Sequence, residues 1–483
     1  MSRLTRRRFL QTTGVATAGV LFGACASPRV IGANEDVHLA IVGINNRGKD
    51  VIKELGNVPG VRITALCDVD SAVLAAVAKT QSDKGQPVET FTDYRKLLDQ
   101  GSIDAVAIVT PNHQHALQAI WACQAGKDVY LEKPVCHNIW EGRKIIEAVD
   151  KYQRILQVGS QCRSSESIAT AVAWVRAGNL GKILSVRGLC YKRRDTIGLT
   201  SGPQPLPATV NYDLWLGPAP EAPLRRTKLH YDWHWQFPYG NGDLGNQGVH
   251  QMDIGRWFLG EQALAPRVLS VGGRLGYVDD ANTPNTLTVV HDYKNAPLIF
   301  EVRGLPVKTG VNTMDKFQGA SIGVIVECEG GRVVVPTYTQ ATASDKDDKV
   351  LKDWKDVPGA PNHESNFIAA VRSRKVSDLH APITEGYLSS SLCHTANISY
   401  RLGKTQPPDA IREQIKANAA LSESFGRMVD HFGANGVDLE KTPVTLGAAL
   451  EFDPKAAKFT NNDDANALLT REYRKPFVVP EKV

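Results

Sequence analysis

Residues 38–48 read His38-Leu39-Ala40-Ile41-Val42-Gly43-Ile44-Asn45-Asn46-Arg47-Gly48. A compact apolar run meets a glycine-bearing turn, and helical spacing follows over 49–55, so the order is strand, tight turn, helix. A second apolar run, 61–68, ends in Asp68, 25 residues after Gly43. The turn is G-x-G-x-x-G with Asn45 in place of the middle glycine. Strand before, helix after and an acid closing the next strand make it the turn of a dinucleotide-binding βαβ unit. Asn tolerates left-handed backbone angles, so Asn45 is compatible with such a turn. Gly43, Asn45, Asn46, Arg47 and Gly48 are therefore candidate cofactor contacts, with Arg47 adding charge at the helix N-terminus that receives phosphates. Asp68 would accept from a ribose 2′-hydroxyl and repel a 2′-phosphate, which favours NAD over NADP.

Outward from that turn, helical patterns at 72–80, 115–125 and 140–152 alternate with apolar runs at 103–109, 128–131 and 154–158. This alternation predicts an α/β fold with a doubly wound parallel sheet over 37–158. The third strand closes on Thr110-Pro111-Asn112, at the carboxyl end where such sheets bind ligands. The run 128–131 leads into Glu132-Lys133-Pro134, where a Lys held before Pro is an odd choice for structure alone. Beyond 158 the texture changes. Alternating runs at 188–191, 269–276, 286–293, 298–304, 322–328 and 332–335 predict an open, mainly antiparallel sheet. With helices expected at 167–177, 249–259, 364–373 and 386–402, it forms an α+β domain over 159–404. Residues 195–243 are a Pro-, Gly- and aromatic-rich insertion of the kind that lines an active site. A polar extension, 405–483, is expected to wrap the body or a neighbouring subunit.

The 483 residues, 42% hydrophobic and 22% charged, suit a soluble globular chain of two domains. Thr5-Arg6-Arg7-Arg8-Phe9-Leu10 and the apolar run to Ala24 resemble a twin-arginine export signal over 1–26, followed by a tether over 27–36. Ala24-Cys25-Ala26 fits cleavage to a free protein. Gly23-Ala24-Cys25 equally resembles a lipobox, with Phe22 where Leu is usual, and would leave a lipid on Cys25. The expected location is periplasmic or cell-envelope. Removing 1–24 takes four Arg from the 56 basic residues and no acid from the 51, leaving a net charge of +1 that suggests no nucleic-acid partner. The eight Cys include no C-x-x-C, and most sit in apolar contexts that read as buried thiols.

The Gly43–Gly48 turn, Asp68, Thr110-Pro111-Asn112-His113-Gln114-His115, Glu132-Lys133-Pro134 and Gly248-Val249-His250-Gln251-Met252-Asp253, in that order, resemble the glucose–fructose oxidoreductase / inositol dehydrogenase / MocA family over roughly 36–402. The resemblance implies a Rossmann domain holding NAD(P), with Thr110, Pro111, Asn112, His115, Glu132 and Lys133 joining the cofactor site. It implies a carbohydrate or polyol substrate between Lys133 and the helix bearing His250, and a homo-oligomer, dimer or tetramer, assembled through the second sheet. Gln161, Arg163 and Asp253 fall where the family approaches substrate, and Arg163 could equally form an interdomain ion pair.

Oxidising a secondary alcohol also removes the hydroxyl proton, and a positioned base contributes roughly 10²- to 10⁴-fold. His250 suits that task, and Lys133 could hold the developing alkoxide or relay its proton. Family members that act as plain dehydrogenases usually carry Asp where this chain has Asn246. An amide orients a hydroxyl but takes no proton, so the burden moves to His250 and Lys133, or to Asp243. Tyr231 and His234, beside Trp233 and Trp235, suit sugar stacking and hydroxyl contacts. His230 and His234 lie four apart, but no third ligand is evident and no metal is expected. The expected activity is an exported NAD-dependent oxidoreductase on a sugar, glycoside or cyclitol with an internally recycled cofactor. A redox-assisted glycosidase and a non-catalytic sugar-binding protein are the alternatives. Lys133 and His250 together argue against the last.

Overall fold

The computed structural model describes residues 36–357 and 362–483. The export signal at 1–26, the tether up to residue 35 and Cys25 lie outside the described residues. Six strands, β1 (Val37–Val42), β2 (Val61–Cys67), β3 (Glu89–Phe91), β4 (Ala105–Ile108), β5 (Asp128–Leu131) and β6 (Leu156–Val158), pair in parallel in the order β3-β2-β1-β4-β5-β6. β1 is fully buried apart from His38, and β4 and β5 are buried throughout, as strands covered on both faces must be. The chain order reverses between β1 and β4, and this opens a crevice at their carboxyl ends, beneath Gly43 and Thr110. Thr110 therefore follows the fourth strand, not the third. The short β3, with two of its three residues exposed, escapes a hydrophobicity pattern.

The second sheet has twelve strands. Its main path runs β14-β13-β12-β11-β7-β10-β9-β8-β16-β15. Here β7 is Ile183–Tyr191, β8 Arg267–Gly273, β9 Thr286–His291, β10 Leu298–Arg303, β11 Ile322–Cys328, β12 Gly331–Val335, β13 Gln340–Asp345, β14 Val350–Lys355, β15 Lys404–Gln406 and β16 Val444–Leu446. Pairing is antiparallel except between β7 and β10. The helices Val249–Leu259 and Ile383–Arg401 contribute to its core through Met252, Ile254, Phe258, Leu392 and Ala396. Residues from 404 onward add β15 and β16 to this sheet. The chain then returns to the first domain, where Phe477 and Val479 join the core under the helices His115–Gln124 and Ile139–Tyr152.

The insertion also crosses to the first domain. Asn211 N donates to Val69 O and Ser71 N to Thr209 O, both at 2.9 Å, and Val210 bridges to Asp70. The seven Cys among the described residues are buried and unpaired. No helix among the described residues is long and apolar enough to cross a membrane.

Candidate active site

Two glycines shape the crevice by necessity. A Cβ on Gly43, whose φ is +79°, would sit 2.8 Å from Thr110 N, and one on Gly48 would sit 2.1 Å from Gly43 O. The left-handed residue between them is Asn46, with φ 43°, and not Asn45 as expected. Asn45 instead turns its side-chain oxygen back to accept from Asn46 N at 3.0 Å, which pins the turn from inside. Asp68 is tied to the same turn, its Oδ2 accepting from Ile44 N and its Oδ1 from Asp70 N, both at 3.0 Å. Burial raises its pKa, while the two backbone bonds and nearby His230 work against that rise.

A cavity of about 560 Å³ runs from this turn and Asp68 to Lys133 and Asn246. Its size falls within the range of cofactor sites, about 300–1,000 Å³. Glycines that a Cβ would block, a helix N-terminus at Arg47 and an acid at the second strand's end all fit a dinucleotide. Arg47 lines the cavity, but its guanidinium already meets two carboxylates, Glu132 Oε1 at 3.0 Å and Glu54 Oε1 at 2.9 Å. The free phosphate-facing charge expected of it is thus largely neutralised.

At the far end Lys133 Nζ donates to the main-chain carbonyl of Asn246 at 2.8 Å. Burial lowers the Lys133 pKa and the Glu132 carboxylate opposes it, while Arg47, Lys192 and Arg194 lower it further. His115 clamps the loop, its Nδ1 lying 2.7 Å from Pro134 O and its Nε2 2.7 Å from Thr110 O. Thr110 Oγ1 donates to Gln118, and Asn112 reaches across to Asn241 in the insertion. Asn112 and Pro111 still line the cavity.

The insertion supplies the opposite wall. Tyr231 and His234 line it beside Lys133, as expected for substrate contacts. His234 stacks on Trp233 with ring centroids 3.7 Å apart, and its Nδ1 lies 2.6 Å from Tyr231 O. That contact fixes the proton on Nδ1 and leaves Nε2 as the acceptor. The His234 pKa is pushed down to about 3 by burial, with Lys133 and Arg194 adding to the effect. His230 is turned to Asp70, Nε2 to Oδ2 at 2.9 Å, at the Asp68 end.

Four expectations need correction. Arg163 and Asp253 form a buried two-pronged ion pair, both contacts 2.8 Å, joined by Glu385 and Arg256, and neither lines the cavity. They tie the segment after β6 to the helices Val249–Leu259 and Ile383–Arg401. Gln161 sits behind the wall, against the Tyr130 hydroxyl at 3.3 Å and Arg47 at 2.7 Å. Asp243 is held by Arg194 through both oxygens and is 2% exposed, so it is unavailable as a base. His250 is 6% exposed and does not line the cavity, and its Nδ1 meets no hydrogen-bond partner. Its ring lies 4.9 Å from that of Tyr338, and burial, followed by Lys133, pushes its pKa down to about 3.

A family model described as "Oxidoreductase family, NAD-binding Rossmann fold" matches residues 37–160, and its companion, "Oxidoreductase family, C-terminal alpha/beta domain", matches 181–299. Together they span just over half of the chain. The chain belongs to the Gfo/Idh/MocA oxidoreductase family. Its similarity to curated Gfo/Idh/MocA relatives is partial. A glycosyl hydrolase family 109 protein of Shewanella sp. (strain ANA-3) is 28% identical over 207 residues, 38% of this chain and 45% of the relative. The levoglucosan dehydrogenase of Pseudarthrobacter phenanthrenivorans is 31% identical over 180 residues, 37% and 39% of the two chains. The chain thus matches less than half the length of either. Among solved structures, a levoglucosan dehydrogenase complex with NADH and levoglucosan aligns with TM-score 0.57 at 18% identity, covering 74% of this chain and 95% of that one. The aldose–aldose oxidoreductase of Caulobacter crescentus, complexed with glycerol, gives 0.54 at 16%, covering 74% and 95%. These two likenesses concern the fold.

Several cavity residues had no signal in the sequence reading. Arg95, Trp121, Leu214, Trp215 and Phe477 come from four separate segments that only the tertiary fold assembles. Phe477 lies beyond both Gfo/Idh/MocA family matches.

Proposed function

We propose that the protein is an exported NAD-dependent oxidoreductase acting on a secondary hydroxyl of a sugar, glycoside or cyclitol. The observation that carries this reading is the Lys133 ammonium, fixed on the Asn246 carbonyl at the end of the dinucleotide-shaped cavity. NAD bound there would supply the hydride acceptor. The Gly43–Gly48 turn and the helix beginning at Arg47 would hold its pyrophosphate, and Asp68 a ribose hydroxyl. With one N–H on Asn246, Lys133 keeps donors for the substrate oxygen and stabilises negative charge developing there. His234 lines the cavity beside Lys133 and, with Nδ1 turned to Tyr231 O, keeps Nε2 as an acceptor, so this reading makes it the proton acceptor. His250, buried and off the cavity, takes no part in this reading. Tyr231 and Trp233 offer ring faces to sugar C–H surfaces.

The twin-arginine pattern at residues 5–10 supports export, and free NAD is not expected outside the cytoplasm. A cofactor recycled within the site follows from that. A redox-neutral glycosidase is the second reading, favoured by the similarity of 28% to glycosyl hydrolase family 109 proteins. A homo-oligomer remains part of the proposal, on family grounds.

The test is to denature the purified protein, identify released nucleotide by mass spectrometry, and assay it with free sugars and aryl glycosides. Bound NAD(H) with net redox change on a sugar supports the dehydrogenase. Glycoside cleavage without net NADH supports the glycosidase. Bound sugar with no nucleotide and no turnover overturns both.

A further inference from the structure

A second cavity, of about 300 Å³, begins one residue along the turn Leu244–Gly248, where Asn246 lines the first cavity and Gln247 the second. Gln251 and Ile254 of the following helix join Gln247, so residues 247, 251 and 254 fall on one face, turned to β11 and β12. Opposite them stand Val335 at the end of β12 and Thr337 and Tyr338 in the turn to β13. Gln247 Nε2 donates to Tyr338 Oη and lies 3.4 Å from Oε1 of Gln251, which is 1% exposed. Burial pushes the Tyr338 pKa up to about 12, so its hydroxyl keeps the proton at neutral pH and remains a donor. Its ring lies 4.9 Å from that of His250.

We propose that this second cavity holds the second sugar unit of a disaccharide or larger glycoside whose reacting unit lies at Lys133. This rests on the oxidoreductase reading above and narrows its substrate from free sugars to glycosides. None of the nine residues lining the cavity carries a charge, so a phosphate or carboxylate would be buried there without a partner, at a cost. A neutral ring with several hydroxyls meets no such penalty. Two amides, a phenol and the Thr337 hydroxyl offer donors and acceptors together, as adjacent sugar hydroxyls require. Ile254, Val335 and the Tyr338 ring give the C–H face of that sugar an apolar floor. The volume stands at the low end of the range for small-molecule sites, about 300–1,000 Å³, and suits one ring rather than a cofactor. Consecutive Cα atoms are about 3.8 Å apart, so the step from Asn246 to Gln247 is shorter than one pyranose ring and two linked rings reach both cavities.

The experiment uses the full chain with glucose, galactose and N-acetylglucosamine beside cellobiose, lactose and chitobiose, read by calorimetric binding and by kcat/KM. The wild type is expected to favour at least one disaccharide over its monosaccharide about 10-fold or more. Tyr338→Ala is expected to abolish that preference, and Gln251→Leu and Tyr338→Phe each to cut it about 3- to 10-fold, chiefly through KM. Should Tyr338→Ala fail to fold, Tyr338→Phe, which keeps the ring, decides by the same readouts. Free sugars turned over as well as every disaccharide, or a preference that all the variants retain, overturns the subsite and leaves the oxidoreductase reading standing. Disaccharide binding that weakens in these variants, with no turnover of any sugar, upholds the sugar site and takes down the oxidoreductase reading. A chain that neither binds nor turns over any of the six takes down both.

Discussion

Lys133, at the end of the first domain's fifth strand, donates its ammonium to the main-chain carbonyl of Asn246 in the turn before the helix Val249–Leu259. The contact joins the two domains at the cavity's end. It also changes what Asn246 does, because that residue serves through its backbone whatever its side chain contributes. An ammonium anchored by one bond is oriented without being neutralised, as an electrostatic catalyst must be.

Lys133→Met should therefore lower kcat by roughly 10²- to 10⁴-fold while NAD affinity changes little, because Gly43, Gly48 and Asp68 lie at the other end. Lys133→Arg should not restore the rate, since a planar guanidinium cannot reproduce one compact donor on Asn246 O. Steady-state kinetics beside nucleotide calorimetry separates the two effects. A Lys133→Met enzyme with normal kcat returns the residue to a structural role.

Asp68 holds the turn by two backbone bonds and lines the cavity at the end of β2, where the proposed function puts a ribose hydroxyl. Wild-type protein should prefer NAD to NADP, because a 2′-phosphate would meet the carboxylate with like charge. Asp68→Ser should narrow that preference by about 10-fold or more and weaken NAD as well, the Ile44 and Asp70 amides having lost their acceptor. Competitive binding of the two cofactors measures it. Equal affinities in the wild type would remove Asp68 from the specificity role.

The Arg163–Asp253 pair predicts a stability effect where the sequence suggested substrate contact. Asp253→Ala leaves Arg163 and Arg256 buried with only Glu385 between them. Removing one partner of such a network costs about 3–5 kcal/mol. Urea unfolding should show the loss, and KM for substrate should hold in whatever fraction remains folded. A raised KM with unchanged stability would restore Asp253 to the substrate site.

The Rossmann half was legible because local rules decide it. Close approach at Gly43 and Gly48 admits no Cβ, and buried parallel strands read as unbroken apolar runs. β13 and β14 were not legible. Gln340–Asp345 alternates only through the small Ala341 and Ala343, and Val350–Lys355 buries only Trp354, so neither presents the large apolar residues that mark a strand. The site was readable where its residues follow strand ends, as at Asp68, Thr110 and Lys133. It was unreadable where partners are far apart in the chain: Arg163 and Asp253 are 90 residues apart, Lys133 and Asn246 113. The depth of His250 and the arrival of Phe477 at the nucleotide crevice are likewise products of packing that no local pattern records.

His291 gives the pH prediction. It sits on the central strand β9 with no exposed surface, and neither ring nitrogen meets a hydrogen-bond partner. Burial pushes its pKa down to about 3. In the unfolded chain the ring titrates near about 6.5. Between those values the unfolded state binds the proton and the native state does not, so stability rises with pH through that window and is lost as pH falls from about 6.5 toward 3. His234 and His250 carry the same sign. His291→Leu removes one titrating group and one unsatisfied N–H, whose burial costs about 1–3 kcal/mol. Thermal unfolding from pH 8 to pH 4 should then show two changes. The variant should melt higher at pH 7, and its Tm should fall less steeply with acidification than that of the wild type. An unchanged slope would mean that His291 is already protonated, or hydrated, in the native protein.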